Sequence, residues 1–128
     1  MQPRYLLKTI CAVLDQAKGL EITSLDVRKM TDIADYMVVA SGTSTRHVCA
    51  LADRLVDELR IRDVRPVGVE GREQGEWVLV DFGDVIVHVM LPQTRDFYNL
   101  EKLWSKDVVD ETRRLETVAP RARRRTRT

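Results

Sequence analysis

Four short patterns in this 128-residue chain carry residue types that do chemistry. Ser41-Gly42-Thr43-Ser44 sits between an apolar run and a helical stripe, where phosphate-binding loops sit on helix N-termini. It lacks the glycine spacing and the Lys of a P-loop. A strand-to-helix turn with Thr43 or Ser44 as N-cap accounts for it more simply, and leaves Arg46 and His47 as contacts for a ligand or partner. Asp81-Phe82-Gly83 spells the magnesium motif of kinases, but the Gly-rich loop, strand Lys and catalytic loop that must accompany it are missing. Asp81 and Asp84 suggest a carboxylate pair for magnesium, yet they straddle a turn instead of sharing one strand face. His47, His88 and Cys49 have no metal-ligand spacing, and no Ser-His-Asp or Cys-His arrangement has support. No cofactor is therefore expected.

These residues need a frame, and Gly68 to Leu91 supplies most of it. Gly83-Asp84 is a tight-turn dipeptide between two apolar runs. A two-residue turn sets Asp81 against Ile86, Val80 against Val87, Leu79 against His88, Val78 against Val89 and Trp77 against Met90. Alternation then gives one face of Val78, Val80, Phe82, Val85, Val87 and Val89, all apolar and destined for a core. The other face carries Trp77, Leu79, Asp81, Ile86, His88 and Met90. That mixture is too polar for a core and too adhesive for idle surface, and aromatics and Met are enriched where proteins dock. Trp77 and Tyr98 are the aromatics expected to make contacts. Trp77 packed under the last helix is the structural alternative, and Trp104 is expected to be structural.

The remaining elements follow from periodicity. Arg4 to Lys18 shows a helical stripe with Gly19 as C-cap, and Ile22 to Val27 is a short strand. Tyr36 to Ala40 is continuously apolar, as a central strand is. Thr45 to Arg60 is a long helix with Val48, Leu51, Ala52, Leu55 and Leu59 on one face. Val67-Gly68-Val69 is a strand. Thr94 to Leu103 reads as one helix with Phe97, Leu100 and Leu103 inward, and residues 105–118 have helical character. The sum is a single α/β domain, a mixed sheet flanked by helices. The long helix between Tyr36–Ala40 and Val67–Val69 is able to join strands that run the same way.

Composition narrows the function. The formal net charge of +1 hides a body of −4 over residues 1–120 and five arginines in the last eight positions. Between Gly68 and Asp84, Glu70, Glu73, Glu76, Asp81 and Asp84 face Arg72 alone, a surplus that suits a basic partner and repels phosphate. Two cysteines, Cys11 and Cys49, both among apolar residues, imply reduced thiols and a cytoplasmic setting. No signal peptide and no membrane span is expected. The Arg-rich end points to a minor, salt-sensitive contact with RNA. The body calls for no assembly beyond a monomer or weak homodimer.

Several of these blocks together resemble one family. Ser24-Leu25-Asp26-Val27, Ile33-Ala34-Asp35-Tyr36, Ala40-Ser41-Gly42-Thr43-Ser44 with Arg46, and Val69-Glu70-Gly71 begin the series. Trp77 to Val89 and Tyr98-Asn99-Leu100-Glu101-Lys102-Leu103-Trp104 complete it. From about residue 4 to residue 105 the chain is similar to the ribosomal silencing factor (RsfS, Iojap-like) family. The resemblance implies a nucleotidyltransferase-like fold without its catalytic acids, over residues 1–106. Residues 107–128 are expected to form an extension, Arg-rich and disordered at its end. It further implies a non-enzymatic repressor of translation under nutrient limitation. Such a protein binds ribosomal protein L14 on the large (50S) subunit, excludes the small subunit and possesses no cofactor. Its contact residues would be Trp77, Asp81, His88, Met90 and Tyr98, and Glu70 joins them from the carboxylate surplus. Gln93-Thr94 departs from the acidic pair common before Arg95. The alternative from the residues alone is a small magnesium-dependent nucleotidyltransferase-like enzyme using Asp81, Asp84 and the Ser41–Ser44 loop.

Overall fold

A computed structural model describes residues 1–104, so the expected helical character of 105–118, the Arg-rich end and the 107–128 extension lie outside the described residues. The chain runs α1 (Pro3–Gln16), β1 (Leu20–Asp26), β2 (Tyr36–Ser41), α2 (Thr45–Ile61), β3 (Gly68–Glu70), β4 (Trp77–Asp81), β5 (Val85–Met90), α3 (Pro92–Tyr98) and α4 (Leu100–Leu103). Its strands form one sheet in the order β1-β2-β5-β4-β3, with β2 and β5 parallel and every other neighbour antiparallel. β2 and β3 therefore point the same way across α2, with β5 and β4 between them. The sheet is mixed and flanked by helices on both faces.

The hairpin pairs as alternation requires. Trp77 opposes Met90, Val78 Val89, Leu79 His88, Val80 Val87 and Asp81 Ile86. Phe82 N–H donates to Val85 O at 3.0 Å and Gly83 has φ +91°. A positive φ at the first central position of the turn is one that glycine adopts without strain. The all-apolar face of β4 and β5 joins Tyr36, Val38 and Ala40 of β2 in the main core. α1 covers it with Leu6, Ile10, Val13 and Leu14, and α2 with Val48, Leu51, Ala52, Leu55 and Leu59. Both sets recur at three- and four-residue intervals, so each helix turns one stripe to the sheet. β2 is buried at all six positions.

The helix ends depart from the sequence expectation. Gly19 does not occupy the left-handed cap of α1; Lys18 does, at φ 68°. Its N–H donates to Asp15 O at 3.0 Å and that of Gly19 to Leu14 O at 2.8 Å, a complete Schellman motif. α2 ends identically, with Asp63 at φ 62°, Asp63 N–H on Arg60 O and Val64 N–H on Leu59 O. Neither cap uses glycine, although a side chain costs about 1–2 kcal/mol in this region. Lys18→Gly and Asp63→Gly are each expected to stabilise the protein by about 0.5–1 kcal/mol, after the greater entropy of an unfolded glycine is subtracted. Urea midpoints at constant slope will show it.

The last helix also differs. Thr94 to Leu103 is not continuous: Asn99 at φ 48°, ψ 54° ends α3 and opens α4. Leu100 and Leu103 face inward as expected, whereas Phe97 is 79% exposed. Trp104 is buried with them, in the structural role expected of it.

Candidate docking site

The second face of the hairpin is covered, which corrects the expectation that it lies open. Trp77 and Met90 pack with Met37, Val39, Val27, Leu100, Leu103 and Trp104, while Leu79 and Ile86 pack with Ala34. Residues 27–34 and α4 thus close over it from two sides. Trp77 is 5% exposed, Asp81 5%, His88 2% and Met90 0%. Two of their polar contacts lie within the hairpin itself. The Trp77 indole N–H donates to His88 Nδ1 at 2.9 Å, so that nitrogen is an acceptor and the imidazole is the neutral tautomer. Asp81 Oδ1 accepts from Gly83 N–H at 2.7 Å, fastening the hairpin turn. This accounts for a His and an Asp on a buried face: one holds an indole and the other holds a turn.

What reaches the surface is a ladder of rings. His88 lies 5.8 Å from Trp77 between centroids, Trp77 lies 4.7 Å from Tyr98, and Tyr98 lies 4.9 Å edge-on to Phe97. Along it exposure rises from 2% at His88 through a half-buried Tyr98 to 79% at Phe97. Edge-to-face and tilted pairs at these separations are favourable geometries worth about 0.5–1.5 kcal/mol each beyond area. Tyr98, of the residues expected from sequence, therefore offers aromatic surface. Glu70, on β3, is half-buried beside Leu79 and two strands from His88 in one cross-strand row. Phe97 was missed because a continuous helix places it with Leu100. The signal that points to it is Asn99, a residue tolerant of the left-handed region.

Arg95 fixes this end of the molecule. It is 6% exposed, and its Nε and Nη2 donate to the two carboxylate oxygens of Glu101 at 2.9 and 3.0 Å. Nη2 also donates to Glu21 O at 2.7 Å and Thr23 Oγ1 at 3.1 Å, and Nη1 to Ser41 Oγ at 3.0 Å and Leu20 O at 3.5 Å. The guanidinium hydrogen-bonded to Glu101 holds its carboxyl below the usual range, against the opposing pull of burial. α3 is thereby tied to α4, β1 and β2 at once.

The Ser41–Ser44 loop is an N-terminal cap, as its simpler reading had it. Ser44 Oγ accepts from His47 N–H, and His47 Nδ1 accepts from Thr43 N–H at 2.9 Å. Two of the backbone donors a phosphate loop would turn to its ligand, Thr43 and His47 N–H, are here taken by side chains. Among the described residues no group of three or more His, Cys, Asp or Glu is arranged to hold a metal, and no helix is long and apolar enough to cross a membrane.

The family model described as "Ribosomal silencing factor during starvation" matches residues 1–128. The ribosomal silencing factor RsfS of Chromobacterium violaceum is 47% identical over 104 residues, 81% of this chain and 85% of that one. The mouse protein named mitochondrial assembly of ribosomal large subunit protein 1 is 36% identical over 111 residues, covering 84% of this chain and 49% of its own length. A crystal structure of a protein from C. violaceum superposes with a TM-score of 0.80 at 47% identity, over 81% of this chain and 87% of that one.

Proposed function

This chain belongs to the ribosomal silencing factor (RsfS) family, and we propose that it docks on ribosomal protein L14 of the large subunit and thereby keeps the small subunit from joining. It works without catalysis, by occupying a face, and lowers translation when nutrients are limiting. The observation that carries the reading is the aromatic ladder ending at Phe97. An aromatic ring 79% exposed, seated edge-on against Tyr98, costs solvation in the free protein and is recovered by a partner that covers it. Glu70, Glu76 and Asp96 bring carboxylates suited to a basic ribosomal protein. Trp77, His88 and Met90 serve the site from beneath, by setting where Tyr98 rests, while Asp81 fastens the turn at the other end of the same hairpin. The protein meets its partner in the cytoplasm. Residues 1–106 are the docking domain, and the arginines of the 107–128 extension add salt-dependent attraction to ribosomal RNA.

Pelleting with purified 50S subunits tests this directly. The wild-type chain should co-sediment and should slow subunit joining in light scattering. Phe97→Ala and Tyr98→Ala should each weaken binding about 30-fold, the scale of an interface hot spot, with the melting temperature of Phe97→Ala lowered by only a few degrees, the scale of its one ring pair. Undiminished binding by both variants would remove the ladder as the docking surface.

A further inference from the structure

The docking ladder depends on a break that the chain builds and then locks. Asn99 is the C-cap of one helix and the N-cap of the next. Its N–H donates to Arg95 O at 2.8 Å, and its own carbonyl accepts from Lys102 and Leu103 N–H at 3.2 and 3.3 Å. It does both in the left-handed conformation. Were the helix continuous, Phe97 would share a stripe with Leu100 and Trp104, three and seven residues on. Those two are buried, so an unbroken helix would carry Phe97 inward with them. The turn at Asn99 separates the exposed ring from the buried ones.

Arg95 and Glu101 hold that break. Residues six apart on a continuous helix lie about 120° apart around its axis and do not face each other. The two-point contact between them, at 2.9 and 3.0 Å, exists because the helix is interrupted between them. We propose that left-handed Asn99 and the Arg95–Glu101 pair are positioning residues that present Phe97 to the partner. They act on docking without having to touch it. The inference rests on the docking role proposed above and adds its conformational control. An unbroken α3–α4 helix is the binding-incompetent state, and apparent affinity falls with the fraction of molecules that adopt it.

The experiment compares Asn99→Gly, Asn99→Ala and Glu101→Gln in the full chain, read by affinity for purified 50S subunits. Glycine accepts the left-handed region and should keep affinity within about twofold of wild type, whereas alanine resists that region and should lose about fivefold. That order is the opposite of the one helix stability would give, since alanine is the better helix former. Glu101→Gln should lose about threefold, because a charge-assisted pair is replaced by a neutral one. In a Phe97→Ala background none of these changes should weaken binding further, the coupling expected when they act through that ring. Alanine binding as well as glycine at position 99 overturns the inference, as do losses that persist without Phe97. Should Asn99→Ala fail to fold, Glu101→Gln alone decides, and unchanged affinity there overturns it. A wild-type chain that does not bind 50S subunits overturns the docking role itself, a result distinct from any ordering of the variants.

Discussion

Arg95→Met should lower unfolding stability by about 2–4 kcal/mol, the largest loss expected from any single charged side chain in the described residues. Breaking a buried ion pair by removing one partner costs about 3–5 kcal/mol. The Glu101 side chain is 31% exposed and recovers some hydration, which brings the figure down. Further losses come from Leu20 O, Glu21 O, Ser41 and Thr23, all of which receive a guanidinium N–H. Urea denaturation at pH 7 measures the difference. Its pH dependence has a defined sign. Glu101 titrates below its ordinary 4.5 in the folded state because Arg95 hydrogen-bonds its charged form. The pair's contribution is complete above about pH 4.5 and is lost as pH falls through the lowered folded value. The gap between wild type and Arg95→Met should therefore narrow in acid. A gap that stayed constant from pH 7 to pH 3 would show that the carbonyl contacts, and not the ion pair, carry the stability.

Trp77→Ala should cost still more, about 3–5 kcal/mol, the range for truncating a buried aromatic. Trp77 is 5% exposed, packs with Met90, Leu100, Leu103 and Trp104, and gives its indole N–H to His88. The cavity and the lost donor act together. This separates two meanings of a loss of function. A domain in the middle of the ordinary range of about 5–15 kcal/mol stays mostly folded at 25 °C after such a change. Binding at 25 °C should then fall less for Trp77→Ala than for Tyr98→Ala, although its melting temperature falls more. The reverse order would mean that Trp77 itself meets the partner.

The hairpin could be read almost completely before its coordinates were known. Its turn dipeptide and strict alternation both act within fifteen residues, so register and the core-facing set follow from local rules. Tyr36–Ala40 was equally plain, because a strand buried on both faces has no polar position to spare. The fate of the mixed face was not readable in the same way. Whether Trp77, His88 and Met90 meet solvent depends on residues 27–34 and α4, which reach them only through the tertiary fold. A buried His beside an exposed-looking Trp became intelligible once the two were seen to bond. The break at Asn99 was hidden for a different reason. Helical spacing continues through it, and the backbone follows one left-handed residue and a pair of side chains six apart instead of the stripe. The cap at Lys18 was obscured likewise, since lysine does not advertise a left-handed conformation, whereas aspartate at position 63 tolerates one.

Both margins of the sheet are poor templates for another chain. β1 changes register between Leu20 and Thr23, Glu21 sits there at φ 47°, and the carbonyls of Leu20 and Glu21 are already taken by Arg95. β3 at the opposite margin is three residues long, follows Pro66 and carries Glu70. Exposed strand margins recruit further strands and seed aggregates unless they are short, bulged or charged. On the docking role proposed above, the free protein has to persist without polymerising along either margin. The same arginine that ties down the docking end also spoils the margin along which such polymers would grow.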